Sequence, residues 1–118
     1  MNKRTEGARF EKLARVYLEQ EGFRIIGENY RCKAAEIDLI AREGKYLVFV
    51  EVKERSNKTM GAGCEAVDSR KRVRICLAAR FYLKRYHIDP QMPVRFDVVS
   101  IDSGNIRLIR NAFPYQER

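Results

Sequence analysis

The chain is poor in the residues on which several common enzyme classes depend. It contains one histidine, His87, among 118 residues, which argues against Ser–His and Cys–His hydrolases because both need an imidazole base. The three cysteines, Cys32, Cys64 and Cys76, are odd in number and form no C-x-x-C pair. Their spacing relative to His87 matches no common zinc pattern. The cysteines are therefore predicted to be reduced thiols, without a disulfide framework.

Long apolar runs are also missing. No segment approaches the roughly 18–20 apolar residues of a membrane-spanning helix, and the polar start is followed by no signal-peptide core. Together with reduced thiols, this predicts a cytoplasmic protein without a membrane partner. The composition, 45% hydrophobic and 34% charged, is that of a globular domain. The length fits one domain over residues 1–118, with a tail from about residue 111.

Positive charge is in excess. The formal net charge is +8 and the isoelectric point is near 9.7. Such a balance favours a polyanionic partner such as nucleic acid, although many small proteins are basic only for solubility. The segment Gly61-Ala62-Gly63 lacks the lysine and the strand–helix context of a phosphate-binding loop. Nucleotide binding of that kind is not predicted.

Apolar periodicity and turn residues predict seven elements in the order α-β-β-β-α-β-β. They are a helix over 5–21 that ends at Gly22, strands over 23–30, 35–42 and 45–54, a helix over about 65–86, and strands over 94–101 and 106–110. The second and third strands form a hairpin through Glu43-Gly44, and a polar loop over 55–63 precedes the second helix. This order implies an α/β fold, a mixed sheet with helices packed against it.

The second helix is strongly basic. Residues 69–86 contain seven basic residues and no acidic one, which predicts phosphate contacts for Arg70, Lys71, Arg72 and Arg74. A solvated basic face is the alternative reading. A second apolar line, Val73, Leu77 and Phe81, indicates either burial on both sides of this helix or a partner surface, which leaves a homodimer through this helix open.

The central hairpin carries the chemistry. Side chains alternate along a strand, so Glu36, Asp38 and Ile40 share one face, as do Glu51 and Lys53. With a two-residue turn, directly opposed residues point to the same side. Glu36, Asp38, Glu51 and Lys53 are therefore predicted to converge on one face of the sheet.

A patch of three carboxylates among Val, Ile, Leu and Phe is unfavourable for stability alone, because like charges repel across strands. A divalent cation, Mg²⁺ or Mn²⁺, bound by Asp38 and Glu51 would relieve this repulsion. Lys53 could then act on an attacking water and stabilise the transition state of phosphodiester hydrolysis. The alternative is an ordinary charged sheet surface in which Lys53 pairs with Glu51 or Asp38.

These residues also carry a resemblance. Asp38, followed thirteen residues later by Glu51-Val52-Lys53, resembles the D…E-x-K core of the PD-(D/E)xK nuclease superfamily. The wider context resembles the YraN family of small bacterial candidate endonucleases, which is similar in layout to archaeal Holliday-junction resolvases. That context comprises Glu11, Asn29-Tyr30-Arg31, residues 36–40, residues 48–55 and Arg95-Phe96-Asp97-Val98-Val99. Phe10 and Ala35 stand where members of the family usually have glycine.

The resemblance implies a restriction-endonuclease-like three-layer core. It implies catalytic positions for Asp38, Glu51 and Lys53, with Glu11 as an additional acid, and the residues themselves add Glu36. The leading prediction is a Mg²⁺-dependent endonuclease acting on DNA, including branched or damaged DNA. Two alternatives stay open: a non-catalytic nucleic-acid-binding module with a vestigial site, and a protein-interaction subunit.

Overall fold

The computed structural model describes residues 3–55 and 69–115. Its elements are α1 (Lys3–Gln20), β1 (Arg24–Arg31), β2 (Glu36–Glu43), β3 (Tyr46–Arg55), α2 (Ser69–Arg85), β4 (Val94–Asp102) and β5 (Asn105–Phe113). This order confirms the predicted α/β succession. The polar loop beyond residue 55 and the predicted first turn of the second helix lie outside the described residues. Within the described residues, no helix is long and apolar enough to cross a membrane.

The five strands form one mixed sheet in the order β1-β2-β3-β4-β5. Neighbouring strands are antiparallel except β3 and β4, which run parallel with Phe49 opposite Phe96. A parallel connection needs a crossover, and α2 lies in the segment that makes it.

Each face of the sheet has its own hydrophobic core. On one face, Phe49 and Phe96 pack with Ile75 of α2. On the other face, Leu39 and Val50 belong to the core that includes Leu18 of α1. Because both faces are covered, the central strands are apolar on both sides. The result is the predicted three-layer arrangement of helix, sheet and helix.

Both helices end in the same kind of cap. At the end of α1, Gly22 has a φ of 102° and its N–H donates to Glu19 O at 3.1 Å, while Phe23 N–H donates to Leu18 O at 2.9 Å. These are the two hydrogen bonds of a Schellman motif, as the position of Gly22 predicted. The only histidine, His87, has a φ of 53° after α2, so its observed place is a helix terminus.

The turn of the central hairpin differs from the predicted one. Glu43 pairs with Tyr46, so the two turn residues are Gly44 and Lys45 rather than Glu43 and Gly44. Gly44 has a φ of 57°, which suits the first central position of a type II′ turn, a turn compatible with strand twist. The register between β2 and β3 is therefore shifted by two residues from the predicted one. Because side chains alternate with a period of two, a shift of two residues leaves each side chain on the same face of the sheet as its new partner.

The C-terminal segment is more ordered than predicted. A tail was expected from about residue 111, but β5 continues to Phe113. Phe113 is buried, and its ring stacks on Phe96 with 5.1 Å between centroids. Burial of this aromatic side chain holds the end of the strand in the sheet.

Candidate active site

The strands β2 and β3 separate at one end of their ladder. Their paired residues run from Glu43–Tyr46 to Leu39–Val50. The next residue of β2 is Asp38, whose Oδ2 accepts a hydrogen bond from Val52 N–H at 2.8 Å. A side-chain carboxylate therefore bonds to the backbone group that would otherwise face the neighbouring strand.

The alternation of side chains along β2 shifts at this position. Leu39 and Ala41 lie in the core under α1, whereas Ile40 and Ile37 both lie in the core under α2. Strict alternation would place Ile37 with Leu39. The predicted alternation of side chains along this strand was therefore wrong at Ile37, and the irregularity lies at Asp38.

Helix α1 adds a carboxylate to this end of the hairpin. One carboxylate oxygen from each of Glu11, Glu36 and Asp38 lies within 4.8 Å of the other two. We call these three residues and Glu51 the acidic fork. Glu11 was expected at the edge of the buried face of its helix, and the structure brings it to the predicted strand carboxylates.

Asn29 joins two members of the acidic fork. With its amide nitrogen turned toward the carboxylates, Asn29 donates to Glu11 Oε1 at 2.9 Å and to Glu36 Oε2 at 3.0 Å. Its φ of 54° is a left-handed conformation, which asparagine tolerates better than most residues. Asn29 belongs to the segments that carry the family resemblance, and no role was predicted for it from the residues themselves. The only local feature of the sequence that marks Asn29 is its position next to the aromatic residue Tyr30.

Glu51 meets the second helix. Its side chain is 6% exposed, and its Oε2 lies 2.5 Å from Lys71 Nζ of α2. Glu36 and Asp38, by contrast, lie with Glu11 of α1. The prediction that Glu36, Asp38, Glu51 and Lys53 converge on one face of the sheet was therefore wrong. The polar groups approach the fork from both helical layers. Lys53 is half-buried and follows Glu51 by two residues, which places it on the same side of β3.

Burial and mutual repulsion weaken the acidity of the fork. The pKa of Asp38 is raised to about 8, first by burial, then by the charge of Glu51, and less by Glu11 and Glu36. The hydrogen bond from Val52 N–H acts in the opposite direction. Burial also raises the pKa of Glu11, against the hydrogen bond from Asn29. Positive charge placed among these carboxylates would favour their ionised forms.

The donor set fits a hard divalent cation. All of its ligand atoms are carboxylate oxygens, which Mg²⁺ and Mn²⁺ accept together with waters and phosphate oxygens. Glu11, Glu36 and Asp38 are near enough to one another to share one ion. Glu51 acts on Asp38 through its charge, and its oxygen would have to exchange Lys71 for the ion.

The four basic residues at the start of α2 divide into two pairs. Arg70 and Arg74 are exposed. Lys71 lies against Glu51, and the guanidinium of Arg72 lies 5.5 Å from the centre of the Phe113 ring. The four residues predicted to bind phosphates therefore do not form one solvated face. The exposed pair, Arg70 and Arg74, is still available for that role.

Comparison with known proteins places this site in a family. The model of "Uncharacterised protein family UPF0102" matches residues 10–101. The chain belongs to this family, which is the YraN family that the sequence resembles. A UPF0102 protein of Lachnoclostridium phytofermentans is 47% identical over 113 residues, 96% of each chain. A UPF0102 protein of Legionella pneumophila is 46% identical over 105 residues, 87% of this chain and 89% of that protein. The matched segment contains the whole acidic fork.

Proposed function

We propose that this UPF0102 protein is a metal-dependent endonuclease that hydrolyses phosphodiester bonds, with DNA as its substrate. The observation that carries the proposal is the position of Asp38. Its carboxylate is fixed by Val52 N–H at the point where two strands separate, beside Glu11, Glu36 and Glu51. Burial and the neighbouring carboxylates raise the pKa of Asp38 and of Glu11, and a bound cation would offset this penalty on their ionised forms.

Each polar residue has a distinct task in this proposal. Asp38 and Glu51 hold Mg²⁺ or Mn²⁺, and Glu11 and Glu36 supply further oxygens or bind the ordered waters. A bound ion would supply charge stabilisation at the phosphoryl oxygens and lower the pKa of water. Lys53 orients the attacking water and stabilises negative charge in the transition state.

Lys71 is a second cation at this site. It neutralises part of the charge of Glu51 at a distance of 2.5 Å. If Glu51 were to hold an ion, the Lys71 ammonium would be available to a phosphate of the substrate. Until then the lysine offsets part of the cost of burying the Glu51 side chain.

Charge supports nucleic acid as the substrate. The net charge of +8 attracts a polyanion, and Arg70 and Arg74 are exposed on the helix that carries Lys71.

The decisive experiment is cleavage of a panel of labelled DNAs with Mg²⁺ or Mn²⁺. The panel contains duplex, single-stranded, flap and four-way-junction substrates, and is compared with single-stranded RNA. We expect Asp38→Ala and Lys53→Ala to reduce the cleavage rate by at least about 100- to 1000-fold, the usual cost of losing a charge-stabilising group. Glu54→Gln, an exposed carboxylate on the same strand, is the matched control and should cleave normally.

Measurements of DNA affinity and metal binding distinguish a loss of catalysis from a loss of substrate binding. DNA affinity measured in EDTA at pH 8.5 or above should be unchanged or higher in Asp38→Ala, because Asp38 is ionised there and a negative charge that faces phosphate is removed. Lys53→Ala should retain the wild-type Mn²⁺ response in relaxation measurements. Tight DNA binding without metal-dependent cleavage of any substrate would contradict the nuclease proposal and identify a non-catalytic binding module.

A further inference from the structure

An aromatic pocket with a basic rim lies at the edge of the sheet, on the α2 side of β1. It has a volume of about 400 Å³ and is open to solvent. The residues that line it are Tyr30, Cys32, Lys33, Phe81, Lys84 and Arg85. Three of these six are cations and none is a carboxylate. We call this site the aromatic pocket.

The aromatic rings of this region are held in place from below. The ring of Tyr30 meets Tyr82 edge-on, with 5.2 Å between centroids, and Tyr82 in turn meets the core residue Phe49 at 5.6 Å. Phe81 is 44% exposed, so part of its ring is accessible to a ligand. A rigid aromatic floor with an exposed ring at its edge is suited to stacking on a flat ligand.

The cationic rim identifies the kind of ligand. Lys33, Lys84 and Arg85 are all exposed around the apolar floor, and this combination favours a flat ring attached to negatively charged groups. A second copy of this chain would bring the same cations to the contact, so like-charge repulsion opposes a dimer through this surface. A nucleobase flanked by phosphates fits this pocket, because the base can stack on the aromatic rings and the phosphates can contact the surrounding cations.

The position of the pocket connects it to the fork. Tyr30 pairs with Ile37, and Ile37 lies between Glu36 and Asp38 along β2. Tyr30 packs in the core under α2, whereas its neighbours Asn29 and Arg31 contact Glu36, so the pocket and this carboxylate lie on opposite faces of the edge strand β1. Arg31, the residue after Tyr30, lies 3.6 Å from Glu36 across the same strand pair.

We propose that the aromatic pocket binds an unpaired nucleobase of a strand that crosses the edge of the sheet at β1 to reach the acidic fork. This inference rests on the proposed nuclease function and specifies its substrate class, nucleic acid with an unpaired segment. A base inside a duplex is stacked on both sides and cannot enter the pocket without leaving the helix. A single-stranded segment, a flap or the centre of a junction offers such a base at little cost.

The chain itself provides a spectroscopic probe, because it contains no tryptophan. Phe81→Trp places a single tryptophan at the pocket. In EDTA, where no cleavage occurs, a single-stranded DNA oligonucleotide should quench its fluorescence. A duplex of the same sequence, or the same strand with a run of abasic sites, should leave the fluorescence unchanged because no free base can stack.

Affinity provides the second measurement. Phe81→Ala should weaken binding of the single strand by about 5- to 150-fold, the range found on removing one stacking aromatic residue. Its affinity for the abasic strand should not change. Leu13→Ala, another exposed large apolar residue at 48% exposure on α1, is the matched control. Equal affinities of the wild type for the intact and abasic strands would overturn the inference.

The two proposals fail in different ways. If the wild type cleaves DNA but the Phe81 variants do not distinguish bases from abasic sites, the nuclease proposal stands and the pocket proposal is wrong. If stacking is observed and no DNA or RNA of the panel is cleaved with Mg²⁺ or Mn²⁺, the pocket binds bases in a protein that is not a nuclease. Because stacking is measured in EDTA, it is independent of catalysis.

Discussion

Two groups of carboxylates lie at opposite ends of β2, and their surroundings differ in sign. At the end next to the hairpin turn, Glu43 is bonded to Arg95 and Arg110. At the other end, Asp38 lies among carboxylates in the acidic fork, with Lys71 bound to one of them. The pKa of Glu43 is lowered, chiefly by the hydrogen bond from Arg110, whereas the pKa of Asp38 is raised.

At the end next to the turn, the carboxylates of Glu43 and Asp97 are both paired with arginines. Arg95 donates through Nε and Nη2 to the two oxygens of the fully buried Asp97, at 2.9 and 2.8 Å, and also donates to Glu43 at 2.5 Å. Asn111 N–H donates to Asp97 Oδ1 at 2.9 Å. We call Glu43, Arg95, Asp97 and Arg110 the arginine cluster.

The comparison separates two uses of charge within one hairpin. In the arginine cluster, guanidinium groups supply the positive charge and the hydrogen bonds, so the cluster joins β2, β4 and β5 without a ligand. In the acidic fork, two cations, Lys71 and Arg31, contact Glu51 and Glu36, and one asparagine and one backbone N–H complete the contacts described for its four carboxylates. The fork therefore retains a preference for further positive charge, which supports its assignment as a metal site.

The largest effect on stability is expected in the arginine cluster. Arg95→Met would leave the buried Asp97 carboxylate without its bidentate partner. We expect the free energy of unfolding to fall by about 3–5 kcal/mol, as for other broken buried ion pairs. Urea denaturation measures this loss, and Arg107→Met, an exposed arginine on β5, should change stability by no more than about 0.5 kcal/mol. Equal losses in both variants would contradict the structural role of the cluster.

The sequence predicted the elements of the fold because apolar periodicity and turn residues are local signals. It did not predict the hairpin register, because a two-residue turn can place Gly44 at either central position and the choice depends on strand twist. It also missed the continuation of β5 to Phe113. That strand end depends on the stacking of Phe113 on Phe96. The two residues are distant in sequence and come into contact only when the strands pair.

The composition of the site was more predictable than its geometry. The carboxylates were recognisable because acidic residues are unusual in apolar strands. The shift of side-chain direction at Asp38 arises from its bond to Val52 N–H, and the pairing of Glu51 with Lys71 arises from the packing of α2. Both are tertiary contacts without a local sequence pattern. The arginine cluster was missed for the same reason, although Arg95 and Asp97 were noted in the family resemblance.

A smaller effect of pH is expected at the acidic fork. Because the pKa of Asp38 is raised to about 8 in the folded protein, the folded state holds one more proton than the unfolded state between about pH 4 and pH 8. The stability contributed by this group therefore falls as pH rises through that window. Asp38→Asn removes the titration, and its amide oxygen can still accept from Val52 N–H.

Thermal unfolding of the metal-free proteins in EDTA tests this effect. At pH 8.5 and above we expect the free energy of unfolding of Asp38→Asn to exceed that of the wild type by about 1–2 kcal/mol. This corresponds to a rise in Tm of roughly 4–10 °C for a domain of this size. The difference should shrink toward pH 4. Glu43→Gln should be destabilising near neutral pH, because the lowered pKa of Glu43 means that its ionised form favours folding. A less stable Asp38→Asn protein at high pH would contradict the contrast between the two ends.

The smallest expected effect concerns the basic residues of α2, which divide in the same way as the carboxylates. Lys71 and Arg72 contact Glu51 and Phe113 of this protein, whereas Arg70 and Arg74 are exposed. Each phosphate contact that is lost reduces the slope of log affinity against log salt by about one. Arg70→Gln with Arg74→Gln should therefore reduce the slope for DNA binding by about two.

Fluorescence anisotropy with labelled DNA at several salt concentrations measures these slopes in EDTA. The double variant Lys71→Gln with Arg72→Gln removes the same charge from the same helix and is the matched comparison. Its slope should change by less than one, because each of these side chains already has a protein partner in the free state. Equal slopes for the two double variants would show that exposure on α2 does not decide which cations bind phosphate.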